Sequence, residues 1–340
     1  MMEGGDTEPR TMYFMSGSML TASCRWESIR LMGHELQGAY EMLLLQTGVS
    51  DGRNVRYRRR PSIRMANKAI AVVGAKSVSL PEDEMYVGVQ VGNGDDIKGW
   101  ERDNTGFNIS KKNPTYCELT AHYWLWKNSD AQVKGLMHYR RILGSPGTRA
   151  VPFESMDTRR AKALTSEDVD ELLARYDVIL PKAHNYVSET ALEHYEKTHV
   201  TGYCFDLIRE YLRGNAPEYL PVLEDVLQRR SSHLFNMLVA RAETFDAYSA
   251  WLFPILEYVE ERADVSAYSA YEQRVYGYLS ELLLDVWITA NGFSYIEVPL
   301  LFLQHQNLPK RYAIGLLKKM GIINPAKKEM RRLSKESDEQ

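Results

Sequence analysis

From Met65 onward, short apolar blocks alternate with polar stretches that repeat at helical spacing. MANKAIAVVGAKS starts with a few polar residues and then a run of about six apolar ones, the pattern of a buried first strand. The polar, glycine-bearing stretch 77–110 is expected to run as loop over the carboxyl end of a sheet. PTYCELTAHYWLWKN is predicted as a strongly aromatic helix, with Asn113 as N-cap and Pro114 at the first helical position. AQVKGLMHY predicts a strand. TSEDVDELLARY predicts a helix, with Thr165 as N-cap and Asp168 three residues on. DVILP, residues 177–181, reads as a short buried strand. Three helices are expected in SETALEHYEKT, GYCFDLIREYLRG and PEYLPVLEDVLQRR. A strand follows at 234–240, then helices at roughly 243–262 and 269–290, and a late strand at 294–304. Strands alternating with helices predict an α/β domain with a mostly parallel sheet.

The two ends read differently. Residues 1–67 are expected to be an appendage and linker: a polar, partly disordered start, an amphipathic helix over 25–45, and a stretch at 51–64 holding six arginines. The domain itself is expected to span 68–307. The tail, 308–340, is basic: residues 310–335 hold nine Lys or Arg and one acid, Glu329. Ile314, Leu317, Met320 and Ile323 share one helical face there, a pattern that suits an anionic membrane surface. The competing reading is a solvated helix packed on its own domain.

Composition narrows the class. Formal net charge is −3, from 42 basic and 45 acidic residues, against a dedicated nucleic-acid binder. The three cysteines, Cys24, Cys117 and Cys204, are far apart and form no C-x-x-C pair. That argues against a zinc framework or disulfide scaffold and fits a reducing cytoplasm. No apolar run is long enough for a transmembrane helix, and no signal peptide is evident.

Motifs exclude several chemistries. The first strand ends in VVGAKS, which matches neither the dinucleotide fingerprint nor the P-loop. G-x-S-x-G and H-E-x-x-H are absent. The D-x-D of Asp168 and Asp170 lies at a helix start, where acids are expected for dipole reasons. No metal ligand is therefore assigned; a divalent cation, Mn or Mg, is left open, with no D-x-D after a strand to hold it. GLMHYRRIL ends its strand in His138, Tyr139, Arg140 and Arg141 instead. Guanidinium groups bind phosphate oxygens bidentately and neutralise a leaving diphosphate, and His138 is a candidate donor, acid or base. The bland alternative is a solvated strand end. Asp103, Asn104, Asn108 and Ser110 either fold the loop before the aromatic helix through Asx-type turns or contact a base, ribose or sugar. Glu118 is a capping acid or a site residue. Trp124 and Trp126 are expected in the core.

DNTGFNISKKNPTYCELTAHYWLWKN followed by KGLMHYRR resembles a bacterial family of exopolysaccharide and capsule glycosyltransferases, long filed as domain of unknown function 4422. The resemblance continues through YDVILPK, RRSSHLFNMLVA and residues 251–287 to VPLLFLQHQN, about residues 68–307. It implies a GT-A-like, Rossmann-like fold and sugar transfer from a nucleotide donor, UDP-linked, onto a lipid-linked glycan. Some relatives are associated with galactofuranose. On this reading Arg140 and Arg141 hold the donor diphosphate, assisted by His138, Tyr139 and Lys76. Asp103, Asn104 and Asn108 shape the nucleotide or sugar pocket. Arg274 and Glu281 approach the reaction centre, with Glu281 as general base and Glu118 and Asp103 as rivals. The sequence departs from the family at Ala75, where His is usual before Lys76, and at Phe107, where an acid is usual. With the cysteine usage and the basic tail, this reading gives the expectation of a cytoplasmic protein, peripheral at the membrane face. The alternative is a non-catalytic, sugar-nucleotide-binding scaffold subunit. A nucleic-acid-binding module using residues 51–64 is a weaker third reading.

Residues 1–64 have no counterpart in that family; they are either an appendage or the product of an over-extended translation start. Mass spectrometry of the native protein separates the two: an N-terminus at Met65 supports the second, and peptides from residues 25–45 exclude it.

Overall fold

The structure is a computed structural model that describes residues 67–149, 151, 154–304, 317 and 324–338. The helix expected over 25–45 and the arginine-rich linker lie outside these residues. β1 (Lys68–Gly74) is the predicted first strand. Its Ala69, Ala71 and Val73 join the core on one face, and Ile70 and Val72 join a second core on the other. Burial on both faces is why the strand reads as one apolar block rather than an alternation.

The stretch expected to be loop contains β2 (Tyr86–Gln90) and β3 (Glu101–Arg102), parallel to β1 and β2 respectively. Gly88 disguised the first of these, since glycine weakens a strand reading. It is required there because the Trp100 indole lies against the backbone: a Cβ would come within 2.4 Å of the ring.

The single aromatic helix expected over 114–128 is two, α1 (Asn113–Tyr116) and α2 (Leu119–Asn128). They divide at Cys117, whose φ of 53° is left-handed. Asn113 is the first helical residue and not the N-cap. Its side-chain amide donates to the Cys117 carbonyl at 2.8 Å, supporting the break. Trp124 is fully buried, as expected.

GLMHYRRIL is also divided. β4 (Val133–His138) runs parallel to β1, and β5 (Arg141–Leu143) returns antiparallel, with His138 opposite Arg141. α3 (Met156–Arg160) precedes α4 (Ser166–Leu173), where Thr165 and Asp168 form the expected capping box. Asp170 pairs with Lys68 at 2.7 Å. Both acids of the D-x-D are thus engaged structurally. β6 (Val178–Pro181) follows, then β7 (His184–Asn185). The three expected helices are α5 (Ala191–Thr198), α6 (Cys204–Asn215) and α7 (Leu220–Gln228). β8 (Ser231–Ser232) pairs with β7 in a small second sheet.

The strand expected at 234–240 begins later, as β9 (Leu238–Arg241). Phe235 and Asn236 have φ of 76° and 53°, incompatible with a strand. After α8 (Ala242–Glu260) and α9 (Val275–Asn291), the late strand splits at Pro299 into β10 (Tyr295–Val298) and β11 (Leu300–Phe302), which pair with β6 and β5. The main row is β10-β6-β9-β4-β1-β2-β3. The fold is thus mixed α/β with a mostly parallel central sheet, and β9 alone in that row is reversed, antiparallel to both β4 and β6.

This topology positions the site. The carboxyl ends of β1, β2, β3, β4 and β6 share one edge, where ligands of open α/β sheets bind. Because β9 is reversed, its amino end reaches that edge too: Leu238 pairs with Leu136, near the end of β4. The left-handed turn at Phe235 and Asn236 is thereby delivered beside His138.

α10 (Pro325–Asp338) lies at the end of the tail. Ala326 is buried, Glu329 accepts from the Ser269 amide at 2.7 Å, and Arg332 donates to the Ala267 carbonyl at 2.7 Å. This part of the tail sits on its own domain. Of the apolar face expected at Ile314, Leu317, Met320 and Ile323, only Leu317 is among the described residues. No helix among the described residues is long and apolar enough to cross a membrane.

Gly74 ends β1 where Tyr139 crosses it; a Cβ there would lie 2.9 Å from the Tyr139 Cβ. Gly74→Ala is expected to lower unfolding free energy by about 1–3 kcal/mol through this overpacking, read from urea denaturation. An unchanged midpoint would show that Tyr139 is not seated on that glycine.

Candidate active site

Four elements converge at the sheet edge: the end of β4, the break between α1 and α2, the turn before β9, and the first half of α9. The turn is the hub. The Phe235 amide donates to Glu281 Oε1 at 2.9 Å, and the Phe235 carbonyl lies 2.7 Å from His138 Nε2. A carbonyl only accepts, so Nε2 carries the proton. The Asn236 side-chain amide donates to Glu118 Oε1 and to the Gly277 carbonyl, both at 2.9 Å, and its oxygen accepts from Ser280 Oγ at 2.8 Å. Glu118 Oε1 is 3.7 Å from His138 Nε2.

The backbone is strained here. Cys117, Val187, Phe235 and Asn236 are the described non-glycine residues with positive φ, and three of them lie in this cluster. Asparagine tolerates the left-handed region; phenylalanine does so at a cost of about 1–3 kcal/mol. Such strain gathers where a fold must aim particular groups.

The charges are arranged unequally. Burial pushes the Glu281 carboxyl up to about 8, and the neighbouring Glu118 charge adds to the effect, against the Phe235 amide, Arg141 and Arg274. Burial also lowers the His138 imidazole below its usual range, with Arg141 and Arg140 contributing and Glu118 opposing. His138 is therefore neutral at pH 7, and its contact with Glu118 is not a charge pair. Two neighbouring groups pushed in opposite directions, Glu281 upward and His138 downward, are the usual signature of divided acid and base duties.

The arginines flank this cluster. The Arg141 guanidinium lies 4.2 Å from the Phe235 ring centre, and that of Arg140 lies 4.9 Å from the Tyr139 ring centre. Arg140 Nε is buried and has no hydrogen-bond partner among the described residues, as is also true of Nε in Arg102, Arg159 and Arg160 outside the cluster. Arg274, exposed just before α9, donates from Nε to Cys117 Sγ at 3.0 Å.

Of the residues singled out from sequence, His138, Glu118, Glu281, Arg141 and Arg274 are thus joined through Phe235, Asn236 and Cys117. Lys76 is exposed beyond β1, and Asn104 is exposed beyond β3, both at the same edge. Asp103 is fully buried and accepts from Ser110 Oγ at 2.6 Å; burial raises its carboxyl above the usual range. Asn108 donates to the Gly106 carbonyl and accepts from the Ser110 amide. Asp103 and Asn108 therefore shape the loop, as the Asx-turn reading predicts. Phe107, at its tip, is 73% exposed, with its amide and carbonyl both held by the Asn128 side chain.

Sequence reasoning missed Phe235 and Asn236, which read as strand. An asparagine beside an apolar run was the available signal, because asparagine favours the left-handed region. Among the described residues, no group of three or more His, Cys, Asp or Glu side chains is arranged as a metal site.

A family model described as a domain of unknown function (DUF4422) matches residues 69–292. Among solved structures, the chain is similar to the apo structure of WbbM, a bifunctional glycosyltransferase, at 28% identity with a TM-score of 0.65. The match covers 70% of this chain and 45% of that one, so it spans less than half of the longer protein. No curated protein matches the chain.

An unfolded chain releases the Glu281 proton near the usual 4.5, whereas the folded protein holds it to about 8. The folded state binds the extra proton between these values, so this group costs stability progressively as pH rises from about 4.5 to 8. Glu281→Gln is expected to be more stable than the parent, with a gap that widens across that window in urea melts. A gap independent of pH would mean the carboxyl is not held protonated.

Proposed function

We propose that this chain, which belongs to the DUF4422 family, is a glycosyltransferase that moves a sugar from a UDP-linked donor to a glycan. The observation that carries the reading is the placement of Arg140 and Arg141 at the sheet edge where Glu118, His138 and Glu281 converge. Two guanidinium groups match a diphosphate in charge and in fork geometry. The similarity to a glycosyltransferase structure supports the reaction class.

In the proposed reaction, an acceptor hydroxyl attacks the anomeric carbon of the donor. The bond from that carbon to the diphosphate oxygen breaks, and the diphosphate leaves with the electron pair. Arg140 and Arg141 hold its growing charge. The hydroxyl proton passes to the Glu281 carboxylate. A base held to about 8 is partly ionised near neutral pH and binds the proton firmly once it arrives. Neutral His138, with Nε2–H committed to Phe235, keeps a lone pair at Nδ1 and positions the turn. Lys76 and Asn104 line the approach for the nucleotide. The acceptor is proposed to be a lipid-linked surface glycan, possession of a basic tail being the supporting feature. UDP-galactofuranose belongs among the donors tested.

Calorimetry with UDP and a panel of UDP-sugars, in EDTA and in manganese, tests the donor seat. Arg140→Ala is expected to weaken UDP binding by about 1.5–3 kcal/mol, roughly 10- to 150-fold. Unchanged affinity in a folded variant would dismiss the arginine seat, and binding that requires manganese would mean that acids and a metal carry the diphosphate. Binding without donor hydrolysis or transfer would favour the non-catalytic subunit. If Glu281 is the base, transfer rises with pH toward a plateau above about 8, and Glu281→Gln removes that limb and most of the rate; a profile retained in the variant would transfer the role to Glu118.

A further inference from the structure

A pocket of about 90 Å³ opens beside Glu281, between α5, the residues before β9, and α9. Besides Glu281, its wall is largely aromatic: Tyr186, His194, Tyr195, His199 and Tyr278. None of the arginines of the proposed donor seat lines it. Tyr186 and His194 stack with centroids 4.6 Å apart, and His199 and Tyr278 stack at 4.1 Å. These pairs are braced from behind. The Tyr195 hydroxyl bonds Thr201 Oγ1 at 2.9 Å, and Glu189 holds His194 Nδ1 at 2.6 Å. The Tyr186 hydroxyl is bonded to Ser232, so its ring edge is fixed.

We infer that this pocket is the acceptor subsite, receiving one edge of a hexose residue whose attacking hydroxyl meets Glu281. The inference rests on the glycosyltransferase reading. Three features carry it. Rigid aromatic walls suit the apolar faces of a sugar, Thr198, His194 and Glu281 in the same lining suit its hydroxyls, and the rings are already held in place before binding. A cavity of about 90 Å³ has room for several waters, enough for a hydroxymethyl arm and the adjoining ring edge. Glu281 belongs to both the pocket wall and the hub at Phe235, so a hydroxyl seated here is already beside the base, as a near-attack arrangement requires.

The test uses the full-length protein and simple methyl glycosides of the common hexoses as probes, observed by saturation-transfer NMR in the presence of UDP. Thr198→Trp, at the end of α5, fills the pocket, and His194→Ala removes one wall. At least one methyl glycoside is expected to give signals with the parent protein that fall at least fivefold in Thr198→Trp and weaken in His194→Ala, while UDP affinity stays within twofold. In transfer assays the acceptor KM rises and donor hydrolysis is unchanged. Equal glycoside signals in parent and both variants, or none in a parent that binds UDP, would overturn the pocket assignment alone. A parent that binds no UDP would overturn the donor reading and this inference with it.

Discussion

The two peptide groups of Phe235 hold the site together. One donates to Glu281 and the other accepts from His138, while the adjoining Asn236 amide reaches Glu118. Backbone groups point this way only because both residues adopt a left-handed conformation, and the turn reaches the sheet edge only because β9 runs against its neighbours. Strand direction, local strain and the placement of three ionisable side chains are therefore one constraint. Relaxing the turn into the strand would return two peptide groups to the ladder and release all three side chains.

The same turn sets the electrostatics. Glu118 and Glu281 are held by separate partners, Asn236 and Phe235. Burial first, and the Glu118 charge second, favour a proton on Glu281. Arg141 lies over the Phe235 ring, so its positive charge is close enough to matter and still faces the edge where a diphosphate would lie. The cluster is costly to the fold, and under the proposed reaction that cost is the stability expected to be traded for function.

Much of the architecture was legible in the chain. Continuous apolar blocks marked β1, β4 and β6, and the cap residue Thr165 marked a helix start that the structure reproduces. What was not legible depended on contacts from afar. β2 was hidden by Gly88, whose presence answers to Trp100 twelve residues on. The break at Cys117 and the turn at Phe235 are left-handed positions held by tertiary bonds, and neither cysteine nor phenylalanine advertises that conformation. The chemistry was partly visible for the same reason. The arginines stood out as residue types, whereas the partnership of Glu118 with Glu281 arises only when α9 and the α1–α2 break meet.

The docking of α10 gives the tail a structural meaning. Glu329 and Arg332 grip the backbone at Ser269 and Ala267, and the chain runs from there directly into Arg274 at the head of α9. The tail helix is thus joined through a few peptide units to the guanidinium that touches Cys117. Removing that helix would bare the Ser269 amide and the Ala267 carbonyl, so the residues leading into α9 owe part of their backbone satisfaction to the far end of the chain.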